Sequence, residues 1–196
     1  DIVVPVPDTA RPAAEGYAKK SGLPFVEGLI KNRYVARTFI MPNQNAREQA
    51  VRIKLNPLTS VLRGKRVVLI DDSIVRGTTT SLIVNLVREA GAKEVHVRIT
   101  APPIIGPCFY GVDMSNHKEL IAANNSVEQI RKRLGADSLA YQSIAALNEA
   151  IGLKSSELCN GCLHENYPTP MAQKVNKILK SGSSEGRYWE EATKVH

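Results

Sequence analysis

The sequence predicts an α/β fold, a parallel sheet flanked by helices, and three stretches carry that prediction. Val67-Val68-Leu69-Ile70 is a continuous apolar run of the kind buried on both faces of a parallel sheet. Leu82, Ile83, Leu86, Val87 and Ala90 recur at helical spacing over 80–90, and Gly91 is placed to end that helix in a left-handed conformation. Val95, Val97 and Ile99 then alternate with polar neighbours, as strand residues do. Strand, helix and strand within about 35 residues form a crossover between parallel strands, right-handed in nearly all cases.

The remaining elements follow in order. Residues 2–6 have strand composition, and a helix opens near Thr9, with Pro12 in its first turn and Gly22 just past its end. Residues 24–30 predict a second strand. The segment 31–57 is a basic excursion without a sustained period, and a helix is expected within it from Ala46 to about Leu55. The turn Arg63-Gly64-Lys65 leads into the apolar run, which is the central strand. Beyond the third strand, helices near 127–134 and 143–151 flank a short edge strand at 138–141. From Lys154 the pattern is lost, and a loop carries Cys159 and Cys162. A last helix at about 171–179 precedes a Ser/Gly-rich tail expected to be loosely held. There is no internal repeat. The expected organisation is one domain over 1–153, an extension over 154–180 and a tail over 181–196.

A chain of 196 residues is long enough for one well-buried core. Apolar residues make up 43% and charged residues 23%, and no apolar run approaches the roughly 20 residues that span a bilayer, which excludes an integral membrane protein built of helices. Asp1 leads straight into strand-like sequence, so the chain is expected to be the C-terminal part of a longer polypeptide. Lysine and arginine total 26 against 19 acidic residues, a net charge of +7, which suits nucleic acid, an anionic lipid surface or a multiply phosphorylated metabolite. Only 5% of residues are aromatic and none interleave with a basic stripe, which argues against nucleic acid. Three cysteines make no disulfide framework and point to a reducing compartment, with the cytoplasm as the default.

The most informative stretch runs from Val67 to Thr80: an apolar strand, the carboxylates Asp71 and Asp72, a turn rich in hydroxyls, and a helix start. At the carboxyl end of a strand in an open α/β sheet, such a loop lies where ligands bind, and the next helix points free N–H groups and its positive dipole end at them. Gly77 lets the backbone approach an anion, and Ser73, Thr78, Thr79 and Thr80 offer hydroxyl donors. Within a strand Asp71 and Asp72 point to opposite faces, so both serve one ligand only where the chain is already turning. Paired carboxylates repel a phosphate unless Mg²⁺ or a sugar diol intervenes. The plainer reading makes Asp71, Ser73 and Thr79 ordinary turn and cap residues, although capping needs only one such side chain. The Gly-x-x-x-x-Gly-Lys spacing of a nucleotide-hydrolysing loop is absent.

Residues 70–79, Ile-Asp-Asp-Ser-Ile-Val-Arg-Gly-Thr-Thr, resemble the motif with which type I phosphoribosyltransferases bind 5-phosphoribosyl diphosphate (PRPP). Val4-Pro5-Val6-Pro7-Asp8-Thr9, the stretch from Gly28 to Ile40, and Tyr167-Pro168-Thr169 resemble in order the glutamine PRPP amidotransferase family, over about residues 1–180. The resemblance implies a type I phosphoribosyltransferase fold with a flexible lid loop and a C-terminal helical and loop extension. It implies conversion of PRPP and ammonia to 5-phosphoribosylamine and pyrophosphate, the first step of purine synthesis. The family's N-terminal glutaminase domain, which releases the ammonia from glutamine, has no counterpart in this sequence.

By the same resemblance, Asp71 and Asp72 bind the ribose hydroxyls and Mg²⁺, with Thr9 as a further position at the metal. Ser73, Ile74, Val75, Arg76, Gly77, Thr78, Thr79 and Thr80 hold the 5-phosphate, and Thr9, Ala10 and Arg11 face the pyrophosphate. The excursion from Lys31 to Pro57 resembles a lid whose Lys31, Arg33, Arg37 and Arg47 suit a polyanion. Lys31, Tyr34 and Arg37 are expected to act in turnover, and closure excludes water that would attack the same carbon. A solvated basic loop is the plainer alternative.

Cys159-Asn160-Gly161-Cys162, taken alone, reads equally as a redox pair, half a zinc site completed by Cys108 and His164, or two ligands of an iron–sulfur cluster. The resemblance favours a [4Fe-4S] cluster on Cys108, Cys159 and Cys162 with a fourth cysteine outside this chain. His96, His117 and His164 read as strand, loop and turn residues, and Glu27, Glu48 and Glu128 as surface charges. Two other functions stay open: a nucleobase phosphoribosyltransferase, and a sensor that binds PRPP or a nucleotide without chemistry. Inhibition by AMP and GMP and a homo-oligomeric state follow by family analogy alone.

Overall fold

The computed structural model describes residues 1–32, 34, 53–114 and 116–181. They form two compact units that interleave along the chain, the first from 1–72, 77–100 and 127–140, the second from 73–76, 101–126 and 141 onward.

The first unit is built on a four-stranded sheet in the order β1 (Ile2–Pro5), β4 (Arg66–Asp71), β5 (Glu94–Ile99), β6 (Ser138–Tyr141). β1 pairs parallel with β4, and β4 with β5, in the register Val4↔Leu69 and Leu69↔Val97. The apolar run is thus an interior strand, and Val67 to Ile70 are buried as a continuous row. β5 buries alternate residues, Val95, Val97 and Ile99. α3 (Thr78–Glu89) makes the crossover, burying Ile83, Val84, Leu86 and Val87. α4 (Val127–Leu134) packs on α3 through Ile130 and Leu134. The edge strand β6 is located by Asp137, whose carboxylate accepts the Val95 N–H at 2.6 Å and pairs with Arg88. The helix expected near Thr9 is α1 (Arg11–Ser21), with Pro12 in its first turn and Gly22 as its left-handed cap.

Residues 24–30 do not form one strand. Phe25 makes a single parallel bridge to Val3, and the chain then leaves the main sheet as β2 (Leu29–Lys31), antiparallel to β3 (Leu55–Pro57). Gly28 lies at the departure: a Cβ there would sit 2.8 Å from a Leu62 methyl and 3.0 Å from a Val4 methyl, so only glycine lets these groups approach. Most of the helix expected from Ala46 lies outside the described residues, but Leu55 is the first residue of β3 and is buried there. A helical turn, α2 (Thr59–Leu62), buries Leu62 ahead of the Arg63-Gly64-Lys65 turn.

The second unit packs Val75, Cys108, Ala123, Cys162 and Leu163 around Ile104, Met114 and Leu120. Its helices are α5 (Ile144–Ile151), capped by the Ser143 hydroxyl, and α7 (Pro170–Lys180), capped by the Thr169 hydroxyl. The segment after Lys154, read as a loop, contains a 3-10 turn (Ser155–Glu157) and a helical turn, α6 (Gly161–His164), so Cys162 is helical. Helical periodicity needs more than one turn to be legible, and neither segment supplies it. Tyr167 closes this unit, donating from its hydroxyl to the Pro107 carbonyl at 2.7 Å and stacking at a tilt on Phe109. The expected tail lies outside the described residues from 182 on. Among the described residues no helix is long and apolar enough to cross a membrane.

Candidate functional site

Parallel pairing of β1 and β4 puts the chain that leaves β1 beside the chain that leaves β4, with the Val6 N–H donating to the Ile70 carbonyl at 2.8 Å. That register brings Thr9 to the carboxylates. Its hydroxyl donates to Asp72 Oδ2 at 2.8 Å, across 63 residues of sequence. Asp71, the last residue of β4, is 8% exposed, whereas Asp72 is exposed, as the alternation of a strand requires. Asp71 Oδ1 accepts the Asp72 N–H at 2.9 Å, and Thr100 holds the turn by donating its N–H to the Asp71 carbonyl and its hydroxyl to the Asp72 carbonyl.

Burial first, and the neighbouring Asp72 charge second, push the Asp71 carboxyl up to about 7. The Asp72 carboxylate with the Thr9 hydroxyl on it, and the Asp71 carboxylate adjacent in the chain, are hard oxygen donors, and a buried carboxylate short of compensating charge is stabilised by a divalent cation. The set fits Mg²⁺ in kind. Of the plainer reading, the turn part holds for Asp71, which accepts the Asp72 N–H, but the cap part does not, because the helix from Thr78 to Glu89 follows Gly77 with no side-chain cap and Thr79 lies inside it.

α3 starts at Thr78 behind Gly77, whose φ of 80° is the left-handed conformation that a side chain resists. The cap residue Gly77 has no side chain to accept from the first-turn N–H groups, which together with the positive end of the dipole favour an anion there. Thr78 and Thr79 are exposed, while Thr80 is buried and its side chain belongs to the core of the first unit. Ser73 to Arg76 belong to the second unit. There Ile74 is 2% exposed, the Val75 carbonyl accepts the Ile121 N–H at 2.9 Å, and Arg76 forms an ion pair with Glu119. The side chains of Ile74, Val75 and Arg76 are therefore taken up by packing and pairing.

The expected cations are engaged. Arg11 pairs with Glu27 at 3.1 Å and Lys31 with Asp8 at 2.9 Å. Glu27 is exposed, as a surface charge should be, but its partnership spans 16 residues from a helix to the approach to β2, and no sequence spacing announces it. Tyr34 is fully exposed, its N–H donating to Asn32 Oδ1 at 3.0 Å. Arg33, Arg37 and Arg47 lie outside the described residues.

In the second unit Cys108 and Cys162 are half-buried and Cys159 is exposed. The Cys162 carbonyl accepts the N–H groups of Ile105 and Gly106, both at 2.9 Å, which ties α6 to the segment before Cys108. Burial pushes the Cys162 thiol up, with Cys108 and then Cys159 adding to it. Among the described residues no three His, Cys, Asp or Glu side chains converge as a group able to hold a metal. His164 does not complete a zinc set: its Nδ1 accepts the Asn166 N–H at 3.1 Å. His117 bonds to Glu165, and His96 lies between Glu94 and Ser138.

Residues 1–103 match the family model described as the phosphoribosyl transferase domain. The chain belongs to that family. This phosphoribosyltransferase domain is 57% identical over 177 residues to the amidophosphoribosyltransferase of Methanothermobacter thermautotrophicus, covering 90% of this chain and 37% of that protein. It is 59% identical over 179 residues to the amidophosphoribosyltransferase of Methanocaldococcus jannaschii, again covering 37% of the relative. Among solved structures, glutamine PRPP amidotransferase from B. subtilis, complexed with ADP and GMP, superposes with a TM-score of 0.77 at 54% identity, over 86% of this chain and 38% of that one. The phosphoribosyltransferase domain thus spans little more than a third of the length of these relatives, and their α/β architecture is the one predicted from its sequence.

Proposed function

We propose that this chain carries the phosphoribosyl-transfer site of an amidophosphoribosyltransferase, making 5-phosphoribosylamine and pyrophosphate from PRPP and ammonia at the head of purine biosynthesis. The observation that carries the reading is the Thr9–Asp72 pair beside buried Asp71 at the carboxyl end of β4, in a chain 57% identical to a named amidophosphoribosyltransferase.

Loss of pyrophosphate from the anomeric carbon leaves positive charge on the sugar ring and negative charge on the leaving group, so stabilisation of those charges is the main task. Asp71 and Asp72, with Thr9 beside them, would hold Mg²⁺, which when bound would supply charge neutralisation at the pyrophosphate. Asp71 and Asp72 accept from the ribose hydroxyls, and the Thr9 hydroxyl orients Asp72. The uncapped first turn of α3, with Thr78 and Thr79, holds the 5-phosphate. Arg11 and Lys31 face the leaving group. Ammonia attacks with its own lone pair and needs no strong base, and Tyr34 and Arg37 belong to the segment that covers the ligand and keeps water away.

The rest of the reading concerns the longer protein. The length by which the relatives exceed this chain accommodates a glutaminase region that supplies ammonia. The complex of the B. subtilis homologue with ADP and GMP supports purine nucleotides as regulators. Cys108, Cys159 and Cys162 are proposed as three ligands of a [4Fe-4S] cluster on the family relation alone, since among the described residues they do not converge as a metal-holding group, and iron and labile sulfide in anaerobically isolated protein are the test. A cytoplasmic homo-oligomer completes the proposal.

Calorimetric titration with PRPP, with and without Mg²⁺, on wild type and Asp71→Asn/Asp72→Asn, tests the site. Mg²⁺-dependent binding lost in the variant, with ammonium-dependent release of pyrophosphate by wild type, is the expected outcome. Release that depends on a purine or pyrimidine base instead selects a nucleobase phosphoribosyltransferase, and binding without release selects a sensor.

A further inference from the structure

Arg11 is only partly satisfied by its neighbours. A single contact joins its Nη2 to Glu27 Oε1 at 3.1 Å, and its buried Nε has no hydrogen-bond partner among the described residues. A guanidinium offers two parallel donors to a carboxylate or phosphate, and here only one prong is used. The two side chains are 38% and 49% exposed, so water competes with the pair from both sides. Exposed pairs of this kind shift an equilibrium by a factor of only about 1.4 to 5. The Lys31–Asp8 pair, at 31% and 39%, is less exposed, and Asp8 has further partners. Of the two carboxylates beside the cations, Glu27 is therefore the one held loosely.

We propose that Glu27 is a built-in competitor for the pyrophosphate group at Arg11, a carboxylate that occupies the guanidinium in the free protein and returns to it when the product leaves. The inference rests on the function proposed above and adds a residue to it. A diphosphate presents adjacent oxyanions that can take both terminal nitrogens of the guanidinium together, and Glu27, with one contact to Nη2, yields to it. When the pyrophosphate departs, Glu27 recombines with Arg11, which weakens product rebinding. Glu27 touches neither substrate nor reacting atoms in this scheme; it sets affinity through Arg11.

The test is titration of inorganic pyrophosphate with Mg²⁺ into wild type, Glu27→Gln, Arg11→Gln and the double variant. Glu15→Gln serves as a charge control, since Glu15 lies on α1 near Arg11 and loses the same charge without making that pair. Glu27→Gln is expected to bind pyrophosphate about two- to fivefold more tightly and to be inhibited more strongly by it as product. The gain should vanish when Arg11 is also replaced, shrink with added salt, and exceed any gain in Glu15→Gln. A gain matched by Glu15→Gln, a gain that survives Arg11→Gln, or binding in Glu27→Gln no tighter than in wild type overturns the inference while leaving the proposed function intact. Wild type that binds neither pyrophosphate nor PRPP overturns both.

Discussion

Replacing Asp71 by Asn should make the metal-free protein more stable, and increasingly so as pH rises. Burial and the Asp72 charge raise the folded-state carboxyl to about 7. The unfolded chain releases the same proton near 4, about three pH units lower, which corresponds to about 4 kcal/mol at full ionisation. The acid's folded value lies above its unfolded one, so the folded state holds the proton more tightly. Asp71 therefore carries no penalty below about pH 4, and stability falls as pH climbs from there through about 7. By the linkage relation the penalty is only partly developed at pH 5 and reaches its full size, about 4 kcal/mol, by pH 8.5. Asn, neutral throughout, escapes it. For a chain of this size each kcal/mol shifts Tm by about 2–4 °C, so the advantage of the variant should grow by about 5–10 °C between those pH values. Thermal unfolding of both proteins in chelator across pH 5 to 8.5 measures it, and saturating Mg²⁺ should shrink the gap by stabilising the wild type alone. A Tm difference that does not change with pH would refute both the electrostatic account of Asp71 and its place as a metal-seeking carboxylate.

Other consequences concern single contacts. Thr9→Val removes the donor that orients Asp72 and should weaken Mg²⁺-dependent PRPP binding about tenfold in calorimetry, with Tm nearly unchanged, because the lost bond is exposed. Gly28→Ala forces a methyl to within 2.8 Å of Leu62 and 3.0 Å of Val4, and should cost about 1–3 kcal/mol in urea unfolding. Tyr167→Phe leaves the Pro107 carbonyl without its donor and should cost about 1 kcal/mol by the same measurement, without altering PRPP binding.

Much of the first unit was legible in the sequence because its elements repeat a simple period. The interior strand declared itself as an unbroken apolar row, β5 as strict alternation and α3 as a stripe three and four residues apart, and each pattern is the direct image of what that element buries. The Asp71-Asp72 to Thr79 stretch was legible for a related reason: an apolar strand, two carboxylates, a glycine and a run of hydroxyls are contiguous, so local chemistry alone marked them. What the sequence could not express is distance across the fold. Thr9 reaches Asp72 only because β1 and β4 pair in parallel register, and Arg11 finds Glu27 only because the chain bends back along α1. β2 pairs with β3 away from the main sheet, and Gly28 beside it is pressed against Leu62 and Val4, a crowding that exists only after folding. The charge state of Asp71 is likewise a tertiary property. Nothing in the dipeptide Asp71-Asp72 says which carboxylate will be buried, and burial is the largest cause of its shift. Composition and period therefore determined the class of fold and the loop at which its chemistry gathers, whereas pairings between distant residues and the ionisation of a buried acid were decided by tertiary packing, because both depend on neighbours that the chain acquires only when it closes on itself.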